Sequence, residues 1–445
     1  MASPDVRAAP ARVHVPVRAA CRVRDTVPAY RRHLEAAGLD DISAETWAHV
    51  PFTDKATVFG ADPAQWAVGG RLANAAEVVC SSGQSGPAVS VGLTSRADQD
   101  AMRDRVDAML ASLGAGPDSS SLLVNVLPMG ISVPTSIATA ATPSVHLEMA
   151  LHVLSDIAPQ FDRVVLVGEP PFLTELSRRW ADRGAVHPDL WVVTGGEPVA
   201  ESWRTYCCSV LGVEPFRVMV SMGVAEVGVH VLNETPQLAH THRAISAGDP
   251  ALRPWWNLIR RTDVPRLFTY DPSLLYFETR THPDGPPTIA VTTLAERDLP
   301  LVRYDLGDIG VVLDADDVAA LEAQAGIGLP PDIVAVFGRS AHVTGPAGRV
   351  YPEQVREWLF ALPALAGEAT GRFRLLVDGD RLDCHVQVRG SVPGGLSADA
   401  DTLADRLGDA FGTPAAVRLH DAADYPFHQA GDWTHKARYV GALDA

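Results

Sequence analysis

A chain of 445 residues, 47% hydrophobic and 20% charged, is too long for one ordinary core and too apolar to be disordered, so two or three folded domains are expected. The formal charge of −17 excludes nucleic acid as the main partner, because a polyanion needs a basic face. No apolar run is long enough to span a bilayer, no signal-peptide pattern opens the chain, and the five cysteines are scattered (Cys21, Cys80, Cys207, Cys208, Cys384). The expectation is a cytoplasmic protein without a membrane partner, monomeric or homodimeric.

Residues 1 to about 75 read as helix and loop, with a short helix over 28–38. Apolar β-type runs then recur at 121–126, 163–167, 190–194 and 216–221, separated by helical stretches such as 146–154 and 172–184. Short buried strands alternating with helices predict an α/β layer with a largely parallel sheet. From about 265 the segments LFTYD, LYFETR and TIAVTTL predict a second, β-rich sheet or small barrel. Beyond Gly338-Arg339 a helix (PEQVREWLF), two strands (RFRLLVD, RLDCHVQV), a helix (ADTLADRLGDAF) and a strand (AAVRLH) predict a small α+β unit. The expected division is therefore 1–338 and 339–445.

Of the 37 cationic side chains only Lys55 and Lys436 are lysines. Lysine offers a compact ammonium where arginine offers a wide planar fork, so an arginine-rich chain keeps lysine mainly where arginine will not serve. Lys436 lies in WTHKARYV near the C-terminus; Lys55 ends VPFTDK and is read as a structural residue that pairs or packs near the domain surface. Between two β-type runs stands Ser81-Ser82-Gly83-Gln84-Ser85-Gly86. Glycines let several N–H groups face one anion and the hydroxyls add donors, so the segment reads as a phosphate cradle or as a Ser/Gly hairpin turn. It is not a P-loop, because the closing Gly-Lys-Ser/Thr is absent.

Four further segments follow in order: TGGEP (194–198), SMGVAEVG (221–228), LPLVRYDLGD (299–308) and FGRSAHV (337–343). With SSGQSG and the terminal lysine, this ordered set resembles the adenylate-forming superfamily of acyl-CoA synthetases and luciferase-like enzymes. VPFTDK, GGEP and RYDLGD point to its phenylacetate–CoA ligase-like branch. The resemblance runs from about residue 50 to the C-terminus. It implies a large N-terminal adenylating domain and a small mobile C-terminal domain that carries the catalytic lysine.

The resemblance also implies roles. SSGQSG, residues Ser81 to Gly86, would hold the β- and γ-phosphates of ATP. Gly195, Gly196 and Glu197 would lie beside the adenine, and Met222 and Gly223 would form the wall between adenine and substrate. Glu226 would bind Mg²⁺, Asp308 would accept hydrogen bonds from the ribose hydroxyls, and Arg339 would open the hinge between domains. Lys436 would stabilise charge as pyrophosphate leaves.

Four positions depart from the family: Pro87 replaces a lysine after the loop, Ala341 and His342 replace two acidic residues after the hinge, and His435 replaces a glycine. His230, His240 and His242 with Cys207 or Cys208 fit no zinc-ligand spacing and read as core or solvated side chains. Trp255 and Trp256 read as packing.

The expected activity is ATP- and Mg²⁺-dependent adenylation of a small carboxylate, preferably aromatic, followed by transfer to a thiol such as coenzyme A. Residues 127–136 (LPMGISVPTS) carry no cation, which favours a mono-anionic acid. The alternatives are adenylation of a non-carboxylic substrate such as nitrite for diazotising an aryl amine, or a nucleotide-binding relative that has lost catalysis.

Overall fold

The computed structural model describes residues 13–60, 62–72, 75–80, 91–128, 130–184, 186–252, 264–339, 341–427, 432–433 and 437–442. The SSGQSG loop, Pro87, Met129, Trp255, Trp256, His435 and Lys436 lie outside the described residues. The chain divides into two compact units, 1–105 with 221–340 and 106–220 with 341–445.

The second unit is built on parallel strands, Thr139–Ala141, Ser121–Asn125, Arg163–Gly168, Leu190–Thr194 and the start of Val218–Val224, in that spatial order. Side chains alternate along a strand. Leu122, Val124, Val164, Leu166, Val192 and Val218 therefore share one apolar cluster, and Leu123, Val165, Val167, Val193 and Met219 another. Burial on both faces explains why these strands read as continuous apolar runs. The first cluster includes Leu173, Leu176 and Trp180 of the helix Pro170–Arg183 and Trp203 of the helix Glu201–Leu211. The second includes Val106, Met109, Leu110 and Leu113, the C-terminal half of a helix over Arg96–Ser112 and the residue after it. Sequence reading did not single out this helix; four apolar residues at i, i+3, i+4 and i+7 are its signal.

Residues 341–445 form the expected α+β layer. Its sheet runs Ala415–Asp421, Arg381–Val388, Ala369–Asp378, Val440–Ala442, an antiparallel hairpin with a parallel strand on each side. Helices Pro352–Phe360, Pro363–Glu368 and Ser397–Phe411 accompany it. Val355, Leu359, Phe360, Leu365 and Phe373 belong to the same apolar cluster as Leu173, Trp180 and Trp203, so this layer shares a core with the parallel sheet. Polar ties reinforce it. The buried Arg178 donates to the carbonyls of Ala366 (2.5 Å) and Ala369 (2.9 Å). Glu357 accepts from the backbone N–H groups of Glu201 and Ser202, the orphan donors of a helix start.

The first unit holds an antiparallel sheet in the order Leu275–His282, Gly285–Thr293, Tyr304–Val312, Val334–Arg339, Arg266–Phe268. The unit also holds two hairpins outside that sheet, Glu77–Cys80 with Val91–Thr94 and Ser221–Val224 with Gly228–Asn233. The predicted early helix is present at Pro28–Ala36. Among the described residues no helix is long and apolar enough to cross a membrane.

One buried ion pair organises this unit. Arg303, at φ 47 although it is not glycine, donates to both carboxylate oxygens of Glu278 at 2.9 and 3.0 Å. Its remaining donors reach the carbonyls of Trp47 (2.9 Å) and Val50, and its guanidinium lies 3.8 Å from the Phe52 ring centroid. The adjoining backbone is laced in as well. Thr53 N–H donates to Arg303 O (3.1 Å) and Asp305 N–H to Thr53 O (2.8 Å). VPFTDK is thereby fastened to RYDLGD. Breaking a buried pair leaves an uncompensated charge, so Arg303→Met should cost about 3–5 kcal/mol in urea unfolding. A loss below about 1 kcal/mol, the range of an exposed pair, would contradict this role.

Candidate active site

In the first unit the two acids of RYDLGD have different fates. Asp305 accepts from Arg280 (2.8 Å), Thr288 (3.0 Å) and the Gly307 N–H (2.9 Å), so its carboxylate is structural. Asp308 stands opposite Arg339 in the strand register. Its carboxylate is 8% exposed and lies 3.4 Å from an Arg339 side chain that is 55% exposed. A buried acid bordered by an exposed arginine suits an exchangeable polar ligand.

Glu226 occupies the turn between Val218–Val224 and Gly228–Asn233 and is buried. Tyr304, four residues before Asp308, donates its hydroxyl to Glu226 Oε1 at 2.9 Å. Burial, reinforced by the Glu226 charge, raises the Tyr304 phenol above its ordinary value and keeps it a donor. The strand Val91–Thr94, which follows the SSGQSG segment, presses on the same turn. A Cβ on Gly92 would overlap the carbonyl oxygen of Ala225 and come within 3.6 Å of the Glu226 Cα. Met222 and Gly223 lie just before, where the hairpin register shifts, with Met222 paired to Leu232.

Lys55 begins the helix Lys55–Phe59, whose N-cap Asp54 accepts from the Thr57 N–H (2.8 Å) and hydroxyl (2.7 Å). Burial lowers the Lys55 pKa, while attraction to Glu226 opposes the shift and repulsion from Arg339 adds to it. The ammonium is therefore within electrostatic range of both. Lys55, expected to pair or pack near the domain surface, thus lies in the field of Glu226 and Arg339. Its rarity among arginines was the available signal.

The GGEP turn lies in the second unit, at the carboxyl ends of the strands Arg163–Gly168 and Leu190–Thr194, the edge where open α/β sheets take ligands. Gly195 N–H donates to Gly168 O at 3.3 Å. Gly196 has φ +81, and a side chain there would collide with the Glu169 carboxylate. Glu197 is buried, with Oε2 3.1 Å from Arg356 Nη2 and 2.5 Å from the Tyr439 hydroxyl. Its carboxylate is engaged by the protein's own groups, a partnership not foreseen from the sequence. Segment 127–136 is held through Asn125, which donates to Ile131 O (2.8 Å), and Asp107, which accepts from Thr135 (2.5 Å) and the Ser136 N–H (3.0 Å).

The histidines and cysteines weighed for zinc fall in different units, Cys207 and Cys208 in the second and His230, His240 and His242 in the first. Among the described residues no three His, Cys, Asp or Glu side chains gather as a metal-binding group.

No protein-family model and no curated protein matches the sequence. Solved structures do match. A 2-hydroxyisobutyryl-CoA ligase in the postadenylation state with an acyl-AMP superposes with TM-score 0.69 at 15% identity, over 97% of this chain and 88% of that one. The same ligase in an open conformation with 2-HIB-AMP and CoA gives 0.55 at 16% identity, over 96% and 90%. A fatty acyl-adenylate ligase structure, from a study of the E. coli and L. pneumophila enzymes, gives 0.52 at 15% identity, over 83% and 68%. The fold is that of the adenylate-forming ligases.

The contact between Gly92 and the Glu226 turn is directly testable. Gly92→Ala overpacks a backbone–backbone approach and should cost about 1–3 kcal/mol in denaturant unfolding. Unchanged stability would show that the two backbones are not in contact.

Proposed function

We propose that this protein adenylates a small carboxylic acid with ATP. A carboxylate oxygen attacks the α-phosphorus, the bond to the bridging oxygen breaks, and acyl-AMP and pyrophosphate result. The acyl group then passes to a nucleophile, a thiol such as coenzyme A being the simplest. The observation that carries this reading is the gathering of Lys55, Glu226, Asp308 and Arg339 in one unit of an adenylate-forming fold. The 2-hydroxyisobutyryl-CoA ligase bound to acyl-AMP and CoA supports the reaction class.

Attack of one anion on another needs positive charge arranged in advance. Lys436 and Lys55 would supply compact ammonium groups, and SSGQSG its backbone donors. Asp308 would accept the ribose hydroxyls, with Gly195, Gly196, Met222 and Gly223 shaping the adenine and substrate walls. One buried carboxylate, Glu226, oriented by the Tyr304 hydroxyl, fits a magnesium ion that takes its other ligands from phosphate and water. Such an ion would offset phosphate charge. The neutral LPMGISVPTS segment favours a mono-anionic substrate, preferably aromatic.

Transfer to coenzyme A is proposed to be the slower half. The usual acidic pair after the hinge arginine is Ala341-His342 here. In addition, 341–445 shares an apolar core with 122–218, and separating such a core costs about 25 cal/mol per Å² exposed. An acceptor other than coenzyme A is consistent with both features.

Two variants divide the roles. Lys436→Ala should cut acid-dependent ATP–pyrophosphate exchange by on the order of 10²–10³ while ATP affinity is retained. Asp308→Ala should instead raise the ATP KM with a smaller effect on kcat, because ribose contacts are made equally in ground and transition states. Wild-type exchange in the first variant, or wild-type ATP affinity by calorimetry in the second, would remove that residue from the site.

A further inference from the structure

Glu197 was expected beside a nucleotide, yet its buried carboxylate faces two protein groups far away in the chain. The Tyr439 hydroxyl donates to Oε2 at 2.5 Å, and Arg356 Nη2 reaches the same oxygen at 3.1 Å. Arg356 Nη1 donates in addition to the carbonyl of Pro198 at 2.5 Å, so it holds both the side chain and the backbone of the GGEP turn. The guanidinium lies 4.7 Å from the centroid of the Tyr439 ring, which closes the triangle. Burial first, and the Glu197 charge second, raise the Tyr439 phenol well above its ordinary pKa and keep it a donor.

Tyr439 does not stand alone. Tyr439 O accepts from Leu375 N–H at 2.8 Å and starts the strand Val440–Ala442 on the edge of the C-terminal sheet. Its ring is 4.7 Å from that of Phe373. At the other end of the same stretch, Trp433 meets Phe172 edge-on at 5.8 Å, and Arg372 lies 4.5 Å over the Trp433 ring while donating to Asp432 O. Residues 433 and 439 are thus both anchored in this unit, and Lys436 lies midway between them in sequence.

We propose that Glu197, Arg356 and Tyr439 are positioning residues that fasten the lysine-bearing segment to the GGEP turn in the adenylating arrangement. The proposal rests on the adenylation reading above. None of the three needs to touch the reacting atoms. Their effect is geometric, and a 1 Å misplacement of a catalytic group is enough to cost on the order of 10²-fold in rate.

The test uses the full chain carrying Tyr439→Phe or Arg356→Gln, with three readouts: amide hydrogen exchange over 432–442, ATP–pyrophosphate exchange, and acyl transfer in one turnover from added synthetic acyl-adenylate. Tyr439→Phe keeps the ring and its packing, so cooperative unfolding should persist. The expected result is faster amide exchange confined to 432–442 and a fall in kcat for pyrophosphate exchange of on the order of 10- to 100-fold. The ATP KM and the transfer rate from added adenylate should be unchanged. Unaltered amide exchange would overturn the fastening. A parallel loss of both half-reactions, or none in either, would overturn the positioning role and leave a packing contact. If wild-type protein exchanges pyrophosphate with no acid while the amides still respond, the adenylation reading fails, and with it the catalytic purpose of the contact.

Discussion

The first unit depends on a buried charge that must be satisfied. Arg303 is held at an unfavourable backbone angle, and its donors are taken by Glu278 and by carbonyls of Trp47 and Val50. A guanidinium in that position is tolerable only because every partner is in place. The consequence reaches the site. With Arg303 fixed, Tyr304 points at Glu226, Asp308 falls opposite Arg339, and Thr53 carries Lys55 to the edge of the same sheet. A structural ion pair at one residue of RYDLGD thereby arranges the polar groups on either side of it.

The acidic side chains differ in which of the protein's own groups engage them. Asp305, Glu278 and Glu197 are engaged by arginine, tyrosine or threonine donors. Glu226 accepts the Tyr304 hydroxyl on one oxygen, and Asp308 faces an arginine that is more than half exposed. An overall charge of −17 is compatible with an anionic nucleotide because Lys55 and Arg339 sit locally beside these acids. The field at a site is set by its near neighbours more than by net charge, since exposed charges beyond a Debye length of about 8 Å are screened.

Much of the architecture was legible in the chain. Strands buried on both faces are nearly pure apolar runs, which is why 121–126, 163–167 and 190–194 correspond to observed strands within a residue. The C-terminal helix and strand alternation was equally plain. The helix Arg96–Ser112 was less so, because charged residues crowd its first half and interrupt the apolar pattern, and a Ser/Gly-rich stretch precedes it. Asp308 and Arg339 could be named from ordered motifs, and the strand register sets them opposite one another. The tie between Glu197 and Tyr439 spans 242 residues, and local pattern carries no information at that distance. Lys55 was visible as an oddity of composition, but only the folding of Thr53 onto Arg303 brings it near Glu226.

The proposed reaction turns on attack of an acid oxygen on the α-phosphorus of ATP. The most direct measurement is isotopic: incubate the protein with ATP, magnesium and a panel of small acids labelled with ¹⁸O in the carboxylate, then determine the label in AMP by mass spectrometry. Attack by the carboxylate leaves one of its oxygens on phosphorus once the acyl group is transferred or hydrolysed, so AMP carrying a single ¹⁸O is the predicted product. Unlabelled AMP, or ADP with inorganic phosphate in its place, would contradict the account.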